Sequence, residues 1–256
     1  MKIVGIIPAR MGSSRFPGKP LAKICGMPMI EHVYRRCIQS KLLSDVYVAT
    51  CDEEIRQTVE AFDGKVIMTK NTHLRASDRV AEAMLKVEAA VGKKIDILVM
   101  IQGDEPMVYP QMIDESIKPL VEDEKIKVSN LMAPIKSEEE HADPNTIKVV
   151  IDQQDFALYF SRLPIPSREH ADGNIPMFKQ ICIIPFQRDY LLEFSGLAQT
   201  PLERAESVDM MRVLEHGQKV KMVLTSYQTH SVDTPGDLDK VSALMGNDEL
   251  FLSYKK

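Results

Sequence analysis

Three cations crowd one short loop near the start of the chain. Arg10, Arg15 and Lys19 lie within IPARMGSSRFPGKP, residues 7–20, beside the hydroxyls of Ser13 and Ser14, with two glycines and three prolines setting the backbone path. The loop follows directly on the apolar run KIVGII. A loop at the carboxyl end of a first strand is where open α/β sheets bind ligands. Free backbone N–H groups and fixed cations suit a polyphosphate. Surface cations would be the plain alternative, but three of them among Gly12, Pro17 and Gly18, right after a strand, favour phosphate. Neither GxxxxGK[ST] nor GxGxxG is present, so the cradle is of another kind.

Three further motifs carry carboxylates or a helix start. QGDEP, residues 102–106, puts Asp104 on the turn after a buried strand. A carboxylate there must be solvated, paired or metal-bound, and Asp104 suits a hard cation such as Mg²⁺ as well as it suits a helix cap. In SVDTP, residues 231–235, Asp233 or Thr234 reads first as the cap of the final helix, with Pro235 in its first turn. Two carboxylates converging on one metal would be the functional alternative. In ASDR, residues 76–79, Ser77 reads as a cap and Arg79 as a surface charge, or the helix start holds a base or phosphate.

The elements that must position these residues alternate along the chain. Strands are expected at Lys2–Ile7, Asp45–Thr50, Lys65–Met68 and Ile95–Ile101, and helices at Pro28–Gln39, Glu53–Phe62 and about Ser77–Val91. This βαβ rhythm implies a mostly parallel sheet with helices on both faces, and IDILVMI is apolar enough to be buried on both. Lys127–Pro134 and Thr146–Asp152 read as strands around SEEEHADPN, expected to be a solvated loop. Residues 155–186 form a long excursion of the kind used for subunit contacts or as a lid. A helix at about Ala205–Glu215, a strand at Lys219–Ser226 and a helix at Pro235–Met245 complete the pattern.

The bulk composition narrows the function. The chain has 256 residues, 44% of them hydrophobic, and a net charge of −5, so a basic nucleic-acid binder is excluded and any anion must be held by local cations. The four cysteines show no metal spacing and read as reduced thiols of a cytoplasmic protein. No stretch reaches the roughly 18–20 apolar residues of a bilayer span. The N-terminus does not read as a signal peptide.

Taken together, IIPAR…SSRFPGKPL, Cys51-Asp52, THLRASDRVAE, QGDEPM, DPNTIKVV, LYFSR…IP and VDTPGDLDKV resemble the sugar-acid cytidylyltransferases, most closely the 3-deoxy-manno-octulosonate (Kdo) group, over almost the whole chain. The ARMGSSR wording is also similar to spore-coat polysaccharide cytidylyltransferases. The resemblance implies one α/β domain over residues 1–256 with a nucleotide-diphospho-sugar transferase-like fold. A mostly parallel central sheet would carry a small excursion, about 135–186, used for dimerisation or as a lid. It further implies a cytoplasmic homodimer that couples CTP to a Kdo-like sugar acid with Mg²⁺, giving a CMP-sugar and pyrophosphate for surface polysaccharide or lipopolysaccharide synthesis. Arg10, Arg15 and Lys19 would hold the triphosphate and act in catalysis. Ala9, Ser14, Ser77, Arg79 and Gln102 would complete the CTP site. Asp104 and Asp233 would ligate Mg²⁺, which reverses the cap reading of Asp233. Arg162, Gln180, Glu206 and Asp209 would face the sugar.

The acceptor half departs from the family pattern. Where Kdo enzymes carry an HxGxYxY-like strand, this chain has Gln180, Cys182, Ile184 and Phe186. LERAESVDMMR keeps Glu203, Glu206 and Arg212 of the family's LExxExLExLR but shortens one carboxylate to Asp209. Sites built on lost donors discriminate strongly, so the expected acceptor is a sugar acid related to Kdo, such as an amino- or deoxy-substituted form. The alternatives are a cytidylyltransferase for a nonulosonic acid or a phosphonate, a glycosyltransferase of similar architecture, and a non-catalytic nucleotide-binding protein. QGDEP is not the DxD motif of glycosyltransferases, and the retained cations and carboxylates disfavour a non-catalytic role.

Overall fold

The computed structural model describes residues 1–12, 15–167, 170 and 175–255. They form two compact units, Met1–Asp114 with Gln228–Lys256, and Glu115–Tyr227. The first opens with β1 (Ile3–Pro8), a 3₁₀ turn at Lys19–Leu21, and the small ribbon of β2 (Lys23–Ile24) and β3 (Met27–Pro28). Then follow α1 (Met29–Cys37), β4 (Asp45–Thr50), α2 (Glu53–Ala61), β5 (Val66–Met68), α3 (Ala76–Val91), β6 (Ile97–Ile101) and α4 (Pro110–Glu122), within which the division falls.

Strands β6, β1, β4 and β5 lie side by side and parallel, in registers such as Ile3 with Ile97, Val4 with Asp45 and Val48 with Val66. Every residue of β1 and β6 is buried, as expected for strands covered on both faces. Parallel pairing places the carboxyl ends of all four strands at one edge. The loops that leave this edge are the cationic loop after Pro8, Cys51-Asp52, residues 69–75 and QGDEP.

The second unit contains β7 (Ser129–Pro134), α5 (Glu138–Ala142), β8 (Lys148–Ile151), β9 (Ala157–Ser161), β10 (Phe178–Ile181) and β11 (Ile183–Gln187). It continues with α6 (Arg188–Gly196), α7 (Pro201–Glu206), α8 (Asp209–Glu215) and β12 (Lys221–Leu224). Its five-stranded sheet runs β12-β7-β10-β8-β9, with β12 parallel to β7 and the other neighbours antiparallel. Two sequence expectations are corrected here. The acidic run is no plain loop, because the Ser137 hydroxyl accepts the Glu140 N–H and three glutamates occupy the first turn of α5. That is a capped helix with its dipole complemented. The single helix expected at 205–215 is two, broken at Ser207, which adopts a left-handed conformation with φ 53°. The break brings Arg212 of α8 back onto Glu203 of α7, a buried bidentate pair at 2.6 and 2.7 Å.

The chain then rejoins the first unit through α9 (Pro235–Met245) and α10 (Glu249–Tyr254). Val232, Val241, Met245 and Phe251 pack with Ile24 and Met29 in one apolar cluster. Polar groups close the same seam. The Arg36 side chain, fully buried, donates to Asp248 at 2.6 Å and to the Tyr254 hydroxyl at 3.0 Å. His32 Nε2 lies 2.8 Å from the Ile24 carbonyl, which only accepts, so Nε2 carries the proton and Nδ1 accepts the Tyr254 hydroxyl at 2.9 Å. Removing the hydroxyl in Tyr254→Phe strands both neighbours and is expected to lower stability by about 1–3 kcal/mol, read as a lower thermal midpoint.

Burial, helped by the nearby Arg36 guanidinium, pushes the His32 imidazole below its ordinary value. The unfolded chain then binds a proton near pH 6.5 that the folded chain refuses, so the unfolded state holds more protons below that pH. Stability contributed by neutral His32 is therefore present above about pH 6.5 and falls as the pH drops beneath it. Denaturant titrations at pH 7.5 and 5.5 should show that loss, and His32→Gln should flatten it.

Candidate active site

The cationic loop is fastened to the strand edge at several main-chain points. The Ala9 N–H donates to the Ala49 carbonyl at 2.9 Å, and the Met11 N–H to the Asp52 carboxylate at 2.7 Å. The loop closes on itself where the Gly18 N–H meets the Met11 carbonyl at 3.1 Å, with Gly18 at φ 72°, a conformation that favours glycine. Pro20, buried in the next turn, fixes the direction from which Lys19 leaves. Arg10 and Arg15 are exposed. Ser14 lies outside the described residues.

Lys19 reaches two carboxylates at once. Its Nζ is 2.7 Å from Asp104 Oδ2 and 3.2 Å from Asp233 Oδ1, while Arg15 Nη2 is 3.1 Å from the same Asp233 oxygen. Burial alone would push the Lys19 ammonium down, but Asp104 and then Asp233 outweigh it and hold the group above the ordinary lysine value. The carboxylates are 26% and 23% exposed, so they remain open to a ligand.

Each carboxylate is placed by an identifiable device. Gly103 lets the turn after β6 approach β1, since a Cβ there would lie 3.1 Å from the Pro8 carbonyl oxygen. The Val232 N–H donates to the Asp104 carbonyl at 2.9 Å, and the Thr229 hydroxyl to the buried Glu105 carboxylate at 2.7 Å. These bonds bring two distant segments together. Thr234 caps α9 in a reciprocal box with Asp237, whose carboxylate also accepts the Asp233 N–H at 3.1 Å. The cap expected in SVDTP therefore exists, but Thr234 makes it, and Asp233 is left to face Lys19 and Arg15. Asp104 caps no helix, because the next one begins at Pro110.

The plain readings of Ser77 as a cap and Arg79 as a surface charge do not hold. Helix α3 starts at Ala76 after Arg75 in the cap position, so Ser77 is not the cap and is fully buried in the first turn. Arg79 is no surface charge. It is buried at 3% exposure and donates to the Thr69 hydroxyl at 2.5 Å, bracing the loop after β5. Glu82 binds the same loop through the Lys70 N–H at 3.1 Å and through His73, and it pairs with Lys86 at 2.8 Å. Burial raises the Glu82 pKa, but these partners overcome it and bring it down to about 2. Gln102 stands half-buried at the end of β6.

The four residues expected to face a sugar lie in the second unit. Arg162 donates to the main-chain carbonyls of Glu206 at 2.6 Å and Pro144 at 2.9 Å. Glu206 accepts the Arg162 N–H at 2.8 Å and the Tyr159 hydroxyl at 3.1 Å. Lys148, fully buried and pushed down by that burial, donates to the carbonyls of Asp143, Thr146 and Arg162. The sequence reading assigned this lysine no task. Gln180 donates to Asn130 within the sheet, and Asp209 sits in the first turn of α8. Arg162 and Glu206 are thus brought together as a brace. Arg162→Ala is expected to cost about 2 kcal/mol of stability, seen in thermal melts, and lysine should not restore it because it lacks the planar fork.

The arrangement on the first unit offers fixed cations beside a pair of carboxylates. No group of three or more His, Cys, Asp or Glu side chains suited to a metal occurs among the described residues. Asp104 and Asp233 are the pair that can hold a hard cation, and two carboxylates leave most of its positions for water or phosphate oxygens. The Lys19 ammonium already stands between them as a cation within 3.2 Å of both, so the donor set fits such an ion.

The chain matches a family model described as Cytidylyltransferase over residues 4–220. A 3-deoxy-manno-octulosonate cytidylyltransferase of Geobacter metallireducens is 45% identical over 251 residues, covering 94% of this chain and 96% of that protein. One of the same description from Geotalea uraniireducens is 43% identical, covering 94% and 98%. The solved structure of CMP:2-keto-3-deoxy-manno-octonic acid synthetase complexed with CTP superimposes with a TM-score of 0.88 at 42% identity, covering 96% of this chain and 99% of that one. The fold is nucleotide-diphospho-sugar transferase-like. With cations and carboxylates gathered at its strand edge and this likeness along nearly its whole length, the chain belongs to the cytidylyltransferase family.

Proposed function

We propose that the protein transfers the cytidylyl group of CTP to the hydroxyl of a Kdo-class sugar acid, releasing pyrophosphate and yielding a CMP-sugar for surface polysaccharide synthesis. The observation that carries this reading is the convergence of Lys19 on Asp104 and Asp233 beside the cationic loop. The names of the relatives supply the substrate class.

In this reading Arg10, Ser14, Arg15 and Lys19 hold the triphosphate, and Lys19 offsets charge at the α-phosphate as it is attacked. Ala9, Ser77 and Gln102 frame the cytosine and ribose, while Arg79 acts through the loop that it braces. Asp104 and Asp233 would hold Mg²⁺, which supplies charge neutralisation at the phosphates. Positioning and fixed charges then account for most of the rate. The acceptor is Kdo or a close relative of it. Ile184 and Phe186 are buried at 3% and 0% exposure, so the strand that departs from the family pattern offers no phenol at either position. We read residues 1–256 as one catalytic domain working as a cytoplasmic homodimer through about 135–186. No helix among the described residues is long and apolar enough to cross a membrane.

The test is pyrophosphate release with CTP and Mg²⁺ over Kdo and its amino- and deoxy-substituted forms. CTP-dependent release with at least one of them is expected, fastest with a substituted form. Silence across the panel would overturn the activity, and equal turnover of Kdo itself would overturn the substituted acceptor.

A further inference from the structure

Asp52 stands where a helix cap belongs and does not cap. It directly precedes α2 with extended backbone angles, φ −102° and ψ 125°, and aspartate is among the favoured residues there. Yet its side chain makes no bond to its own helix. Its Oδ2 instead accepts the Met11 N–H at 2.7 Å, across 41 residues of sequence, while its own N–H is steadied by the Thr50 hydroxyl at 3.1 Å. The Met11 carbonyl is used as well, taking the Gly18 N–H at 3.1 Å. Met11 is therefore clamped through both main-chain groups. The loop that the clamp closes carries Arg15, and Lys19 follows it immediately.

A carboxylate is an unfavourable neighbour for a polyphosphate by charge alone. The bond to Met11 gives a reason for this one. We propose that Asp52 is a positioning residue for the nucleotide: its carboxylate holds the Met11 N–H, so that the cationic loop is already set when the triphosphate arrives. Met11 and Gly18 are then held before binding, and affinity gains what ordering them would otherwise cost. The carboxylate acts as an acceptor in this role, and its charge is dispensable. The inference rests on the CTP reading above.

The test measures CTP binding by calorimetry without acceptor, and steady-state kinetics with it, for wild type, Asp52→Ala and Asp52→Asn. Asp52→Ala should bind CTP about tenfold more weakly and raise KM for CTP by a like factor, with kcat changed less than about threefold. Asp52→Asn keeps an acceptor oxygen and should stay within about threefold of wild type. Thermal melts should be close to wild type for both, since Asp52 is partly exposed. If Asp52→Ala binds CTP as tightly as wild type, or Asp52→Asn is as weak as Asp52→Ala, the positioning role is wrong. If wild type itself does not bind CTP, the fault lies in the proposed function instead.

Discussion

Lys19→Ala should lower kcat/KM by about a thousandfold, equivalent to roughly 4 kcal/mol of transition-state stabilisation. The lysine is doubly engaged: it neutralises Asp104 and Asp233, and it is the loop cation that reaches both. Its loss leaves two carboxylates facing incoming phosphates with Arg15 as the one remaining cation paired with either of them among the described residues, and Arg15 is 52% exposed and correspondingly screened. Lys19→Arg should rescue little, because a planar guanidinium does not occupy the position of a compact ammonium. A second readout does not depend on turnover. With the ammonium gone, the free Lys19→Met protein should bind Mn²⁺ more tightly than wild type, measured by the loss of the free-ion paramagnetic resonance signal. Equal Mn²⁺ affinity would mean that the lysine does not compete for that position.

Asp104→Asn should be the more damaging of the two carboxylate changes, with kcat/KM down about a thousandfold or more. Asp104 makes the shorter contact to Lys19, 2.7 Å against 3.2 Å, and it sits on the turn where Gly103 presses against β1. Asp233→Asn leaves the contact between Lys19 and Asp104 in place and should cost about tenfold less. Both losses should be partly relieved by raised Mg²⁺, and neither variant should melt more than a few degrees lower. Mg²⁺ titrations of initial rate check this directly; a rate deficit indifferent to Mg²⁺ would assign the carboxylates to holding Lys19 alone.

Strongly patterned segments were legible and short polar ones were not. Asp45–Thr50 and Pro235–Met245 fall at the expected residues because apolar alternation and a Thr-Pro cap mark them. Helix α5 was missed because three glutamates look like a solvated run unless Ser137 is seen as their cap. The break at Ser207 was invisible because nothing local demands it; the demand comes from the buried pairing of Glu203 with Arg212. The site divides in the same way. Asp104 and Lys19 stand out by type and place, whereas the residue pattern alone did not separate Asp233 from Thr234; the resemblance did, and the Thr234 cap gives the physical reason. The sugar-facing set was the least legible. Arg162 and Glu206 are polar residues whose partners, the Tyr159 hydroxyl apart, are main-chain atoms, and a sequence does not display those.

The first unit is discontinuous: residues 228–256 rejoin a unit whose own strands all lie before residue 102. Asp233 comes 214 positions after Lys19, a distance that translation covers in roughly 10–40 s at about 5–20 residues per second. Throughout that interval the nascent sheet carries its phosphate cations without the second carboxylate, and Arg36 and His32 lack Asp248 and Tyr254. With the proposed roles of Lys19 and Asp233, catalytic competence therefore appears late and abruptly, only after residues 228–256 have been made and have left the ribosome.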